Sequence, residues 1–217
     1  MKLKYLISCA LSLVFSPLST AHATDFSYKN LILASVKLSP AFDYGTYVDS
    51  LMQVFYPAAW QKSHNDEFEL HAKRDETIEN VKKAAKDLNL DDPIILHSGF
   101  EFGEYDFDNK EFAFSPIGAS TYFSQLGDNT QLPREYKLYF ENADIIDGIP
   151  MDASAAKAFI DKRKNGGFIN RRVNVDIYAK ITSLRSETEF SSQIVKVIVR
   201  DATNGNRVLL TWPKASP

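Results

Sequence analysis

His64, Glu67 and His71 are the side chains whose types and spacing come nearest to a metal site. Glu67 and His71 are four residues apart, so on a helix they share a face. With His64 ahead of them they offer two imidazoles and a carboxylate, a donor set that suits zinc. Arg74 and Asp75 extend the same charged stretch. The spacing H-x-x-E-x-x-x-H differs from the zincin motif, in which the histidines are four apart and the glutamate follows the first. Brought across from a strand, His97 would complete a metal-assisted hydrolase. The simpler reading is a helix that overhangs the core and keeps these groups solvated or ion-paired.

Three further groups invite chemistry. Asp106, Asp108, Asn109 and Glu111 gather oxygen donors of the kind calcium prefers, without the glycine and distal glutamate of an EF-hand; a solvated turn explains them too. Ser154-Ala155-Ala156-Lys157 matches S-x-x-K, in which the lysine helps to activate the serine, but the companion S-D-N and K-T-G elements are absent. Serine is also common in the first turn of a helix. Lys157, Lys162, Arg163, Lys164, Arg171 and Arg172 form a basic island that would suit anionic lipid, polysaccharide or an acidic partner. Its structural reading is a helix C-terminus complemented by cations, followed by the solvent face of a strand. The 10 tyrosines and 15 phenylalanines fall mostly at core parity and read as packing. No G-x-S-x-G elbow, phosphate loop or dinucleotide fingerprint occurs, and no cofactor is expected.

These groups sit in a chain of 217 residues that opens with Lys2, Lys4 and an apolar run from about Leu6 to Phe15, followed by Ala21-His22-Ala23. That is the pattern of a secretory leader, expected to span 1–23. The run is about ten residues, against roughly twenty for a membrane span. Cys9 lies inside it, so the remaining chain would have no cysteine, hence no disulfide or thiolate site. Losing Lys2 and Lys4 makes a formal net charge of −3 more negative by two, which argues against general nucleic-acid binding. The remainder, 24–217, is expected to be one α+β domain, helical over about 24–92 and sheet over about 93–212, and not membrane-spanning.

Helical spacing predicts a short helix over Phe26–Leu38, with a strand as the alternative there, a second helix from Asp43 that ends or kinks near Pro57, and a third from Asp66 to about Leu88. The third has a stripe of Leu70, Ile78, Val81, Ala85 and Leu88 that runs back into Arg74 and Glu67. Alternation then predicts a strand over Ile94–Phe102 and a hairpin whose three-residue turn is Asp108-Asn109-Lys110. Phe100 and Phe102 share one parity and Tyr105 and Phe107 the other, which places a bulge or bend at Gly103. Ser115–Pro133 reads as a long turn-rich connection. A strand from Tyr136 to Phe140 precedes a helix capped by Asp152 and closed by Gly166 or Gly167. Val173 to Ile181 alternates without a miss, and Asn204-Gly205 joins two last strands. The sum is about three N-terminal helices packed on a mostly antiparallel sheet of five or six strands, with one inserted helix.

Asn65-Asp66-Glu67-Phe68, Gly103-Glu104-Tyr105-Asp106-Phe107, Phe140-Glu141-Asn142 and Ile149-Pro150-Met151 occur in that order, ahead of an alanine-rich helix and an arginine-led strand. In this the chain resembles an uncharacterised family of exported proteobacterial proteins, a domain of unknown function. The resemblance covers most of the chain after the leader. It implies export and a single domain, and gives no residue a role. The expectation is a periplasmic or secreted, non-enzymatic binding or envelope-accessory module with an unknown protein or an anionic envelope component as partner. The alternative is the metal-assisted hydrolase of His64, Glu67 and His71.

Overall fold

A computed structural model describes residues 23–128 and 131–213. The expected leader, up to residue 22, lies outside the described residues. The fold is mixed α+β, with five helices and a mostly antiparallel main sheet among those residues.

Four helices precede the strand that starts at Ile94, where the spacing predicts about three: α1 (Tyr28–Leu38), α2 (Tyr44–Phe55), α3 (Pro57–Ser63) and α4 (Glu67–Asp87). Side chains cap three of them. Ser27 accepts from the Asn30 amide at 3.3 Å, Asp43 from Thr46 at 3.1 Å, and Asp66 from both Phe68 and Glu69 at 3.0 Å. Each bond satisfies a helix-start donor that has no partner within the helix. Pro57 is the reason for the extra helix. Lacking an N–H, it cannot continue α2, yet its fixed φ suits the first position of a new helix. Tyr56 closes α2 through its amide to the Met52 carbonyl at 2.8 Å, and α3 starts at once.

The strands are β1 (Thr24–Asp25), β2 (Ile94–Glu101), β3 (Tyr105–Asp106), β4 (Glu111–Ala113), β5 (Tyr122–Leu126), β6 (Glu135–Phe140) and β7 (Gly148–Pro150). After α5 (Ala153–Asp161) come β8 (Lys164–Asn165), β9 (Phe168–Ile169), β10 (Arg172–Ser186), β11 (Glu189–Asp201) and β12 (Val208–Trp212). The main sheet has seven strands, in the order β1-β2-β10-β11-β6-β5, with β12 also on β11; β3, β4 and β7 form a second sheet. Thus the sheet is larger than the five or six strands expected. Two of its strands lie outside the expected set: β1 at the start of the described chain, and β5 within Ser115–Pro133, which alternation leaves as a loop. Ser124 and Gln125 give β5 no apolar repeat; β6 holds it by backbone pairing and by ring contacts, Tyr122 on Tyr139 and Phe123 on Phe140, with centroids 5.3 and 5.8 Å apart.

The parity change between Phe102 and Tyr105 marks a change of sheet. β2 ends at Glu101, the Gly103 amide turns to the Ala113 carbonyl at 2.6 Å, and β3 pairs with β4 instead of β10. Phe102 and Phe112 are buried on either side of that bend, with ring centroids 4.9 Å apart. The hairpin turn takes four residues, Phe107–Lys110, rather than three. Gly166 and Gly167 do not close α5, which ends at Asp161. Both have positive φ, +56° and +90°, and they form the turn between β8 and β9, a conformation glycine adopts without steric cost.

Val173, Val175, Ile177 and Ala179 are fully buried on one face of β10 and share a core with Leu31, Ile32 and Ala34 of α1 and Val81 and Ala85 of α4. At the start of α1, Tyr28 donates to the Pro133 carbonyl at 2.6 Å. Its ring lies where a Cβ on Gly127 would sit, 2.2 Å away, so only glycine fits there.

One edge of β11 is shared by two strands. β6 runs parallel along Glu189–Ser192, and β12 antiparallel along Val197–Arg200. Asn142 bridges the gap between them. Its side-chain amide donates to the Ile194 carbonyl at 2.9 Å and accepts from the Ile194 amide at 2.8 Å, as a paired strand would. An Asn142→Ala variant leaves both half-buried backbone groups without partners and is expected to lose about 1–3 kcal/mol in urea denaturation. A loss inside experimental error would show that water replaces the amide at no cost.

Candidate functional site

The expected metal residues are spread along the exposed side of α3 and α4. His64 stacks on Trp60, centroids 5.6 Å apart, with Nδ1 3.0 Å from the Trp60 carbonyl oxygen. Glu67 and His71 are both exposed. Arg74, the next charge on that face, makes a bidentate pair with Asp49 of α2, both bonds 2.6 Å. His97 lies on β2, its Nδ1 2.8 Å from Asp176, which also accepts from Arg200 at 2.9 Å. Burial alone would raise the Asp176 carboxyl, but these bonds more than reverse it and hold it below the ordinary range. Among the described residues no three His, Cys, Asp or Glu side chains are placed to share a metal ion.

The acidic turn is occupied by its own backbone. Asp106 accepts from the amides of Asp108 at 2.8 Å and Asn109 at 2.9 Å, and from the Asn109 side chain at 2.9 Å. The Asn109 bonds draw its carboxyl below the ordinary value. Glu111 leaves the turn altogether: its carboxylate lies over Gly148 of β7. In the S-x-x-K pair, Lys157 bonds to Asp161 at 2.6 Å, one turn further on, and is not turned back to Ser154.

The basic island divides. Lys157 and Lys164 both clamp Asp161, at 2.6 and 2.7 Å, and hold its carboxyl down at about 2. Arg171 donates to the Gly103 carbonyl beside the Phe102 ring. The Arg172 guanidinium lies over Gly99 of β2. Arg163, expected in the surface patch, is a correction: it is buried, 4% exposed. It lies in the turn that follows α5, where its amide closes on the Ile160 carbonyl at 2.9 Å, and that turn carries it to the apolar side of the helix, onto Phe159. Lys162 and Arg172 are the two members that are exposed without an acidic partner among the described residues, and of these Lys162 stands beside α5.

Arg163 pairs with Asp201 at the end of β11, and also donates to the carbonyls of Asn170 at 2.9 Å and Arg172 at 3.0 Å. Its guanidinium carbon lies 4.2 Å from the Phe159 ring centroid. Burial pulls the Arg163 pKa down; Asp201 opposes that, and the like charge of Arg207 reinforces it. Asp201 would be pushed up by burial, but Thr203 donates to it through its hydroxyl at 2.8 Å and its amide at 2.9 Å. With the Arg163 charge these bonds place the carboxyl below its ordinary value. The Arg163 Nε is buried without a hydrogen-bond partner among the described residues.

This ion pair floors a cleft of about 470 Å³ between α5 and the β11–β12 turn. Met151, Ala155, Ala158 and Phe159 make one apolar wall, and Val208 and Leu209 the other. Lys162 and Arg207 stand in its lining, and neither has an acidic partner among the described residues. The volume suits a small ligand. The arrangement can hold an anionic group beside hydrocarbon. Asp201 and Arg207 escape an island defined by clustering, because they come from the far end of the chain. One signal was available for Asp201, which shares the parity of the buried Val197 and Val199.

No curated protein and no solved structure matches this chain. A family model does match, over residues 44–162, from the start of α2 to the residue after α5. The match includes Lys162 and most of one cleft wall, and stops short of β10, β11 and β12. It spans more than half of the sequence, and the chain belongs to the family described as Domain of unknown function (DUF4852).

Proposed function

We propose that this is an exported, non-enzymatic binding module of a proteobacterial envelope, and that the cleft between α5 and the β11–β12 turn takes an amphipathic anion. The occupant is a carboxylate or phosphate head on a hydrocarbon body. One observation carries this reading: among the described residues Lys162 and Arg207 are cations without acidic partners, in a cleft with apolar walls whose own carboxylate, Asp201, is already paired with Arg163. An anionic head would meet two uncompensated charges, and its hydrocarbon would cover Phe159, Val208 and Leu209. Export is supported by the charged start, apolar run and A-x-A site of residues 1–23.

Calorimetric titration with decanoate and decyl phosphate tests the cleft. Saturable binding is expected, weakened about tenfold or more by Arg207→Ala, since a charge-assisted bond contributes about 1.5–3 kcal/mol. Binding that Arg207→Ala and Lys162→Ala leave unchanged, or no binding at all, overturns the reading. Export is tested by fractionating cells that express the whole chain. The expected product starts at Thr24 and lies outside the inner membrane; an uncut cytoplasmic chain overturns it.

A further inference from the structure

β2 carries a short free edge with an unusual symmetry. β1 covers that edge only at Ile94 and Ile95, and the chain turns out of the sheet at Gly103. Between these limits, His97 to Glu101 are paired with no strand on that side among the described residues; β5 comes near only at His97, across a pocket lined by Phe123, Ser124 and Gln125. The Phe102 amide points inward, to the Arg171 carbonyl at 3.1 Å. Antiparallel ladders alternate, so Phe100 and Ser98 also face β10, while Glu101, Gly99 and His97 direct their N–H and C=O outward. The edge has no proline, bulge or lysine, the usual devices that keep strands from pairing. The other terminal strand, β5, is different: the Gln125 side chain reaches the Phe26 carbonyl at 3.0 Å and ties β5 to the residue after β1.

We propose that this edge pairs antiparallel with the same edge of a second copy of the chain, about a two-fold axis at Gly99. Only residues of odd number can exchange backbone bonds across the edge, and Gly99 centres them. In that register His97 stands opposite the partner's Glu101, and Glu101 opposite the partner's His97. The symmetry makes one complementary pair into two. Asp176 holds His97 through Nδ1, which leaves Nε2 for the partner's carboxylate. Arg172 lies over Gly99 and pairs in register with Glu101, so each copy brings both charges to the axis. About six backbone hydrogen bonds form, and the sheets of the two copies become continuous. The bend at Gly103 takes the chain away before it meets β1 of the other copy. The contact is separate from the cleft beside α5 and stands without it.

Sedimentation velocity over a concentration series tests the pairing. The wild-type chain is expected to pass from monomer to dimer, and Gly99→Pro, which removes the axial N–H, to shift the dissociation constant by about tenfold or more. Glu101→Lys, which sets a lysine against the partner's His97, is expected to do the same and serves if the proline variant does not fold. In a Cys9→Ser background, Gly99→Cys should cross-link under mild oxidation, because axial Cα atoms would lie about 5.5 Å apart; Ser124→Cys on β5 should not. A wild-type chain that stays monomeric at its highest soluble concentration overturns the proposal. So does a dimer that survives both edge substitutions.

Discussion

An Asp201→Ala variant is expected to lose about 3–5 kcal/mol of stability, the effect of removing one partner from a buried ion pair. Arg163 has 1% of its side chain exposed and Asp201 4%, so neither gains much from solvent when the other is removed. The guanidinium would keep its bonds to Asn170 and Arg172 but hold an uncompensated charge beside Phe159. Thr203 would lose the acceptor that orders the start of the β11–β12 turn. Urea denaturation measures the loss, and a value below about 1 kcal/mol would place the pair with exposed salt bridges. Replacing both partners, Arg163→Met with Asp201→Leu, should recover much of the stability, because apolar groups of similar size carry no desolvation cost.

The pH dependence of the same pair has a definite sign. The Asp201 carboxyl is depressed in the folded chain, so the unfolded chain binds its proton first as pH falls. The stability it supplies is complete above its unfolded value, near 4, and is lost as pH drops through the lower folded value. Asp176 shifts in the same direction and adds to the acid limb. Asp201→Asn should therefore flatten the loss of stability in acid while lowering the plateau above it.

Much of this architecture is legible where one period runs unbroken. β10 alternates over its buried residues without interruption, and α4 starts at the Asp66 cap because two amides there need an acceptor. Legibility fails where backbone pairing rather than side-chain pattern makes the element. β5 is five residues long with Ser124 and Gln125 interrupting its alternation, and it forms by pairing along the edge that β6 offers. The cleft was half legible. Lys162 and Arg163 lie in a visible cluster, but clustering along the chain cannot separate a solvent-facing lysine from an arginine turned inward. Parity can. Asp201 stands in line with Val197 and Val199, and Arg163 in line with Ala156 and Phe159. A charge at a core position requires a buried counter-charge, and these two are each other's.

Val175→Asp should abolish the cooperative fold. Val175 is fully buried in β10, opposite Val199 on β11 and Ser98 on β2. A carboxylate there has no cation at hand: Asp176 binds Arg200 on the other face, and Arg163 is committed to Asp201. Burying an unpaired ionised group costs several kcal/mol, comparable with the whole stability of a domain, about 5–15 kcal/mol. The expected result is loss of the cooperative thermal transition. Lys180→Asp, on the opposite face of the same strand, should stay within about 0.5 kcal/mol of wild type. The two substitutions place the same carboxylate on opposite faces of one strand, so they test which side of β10 meets the helices. A cooperative melt for Val175→Asp within a few degrees of wild type would mean that this face is open to water.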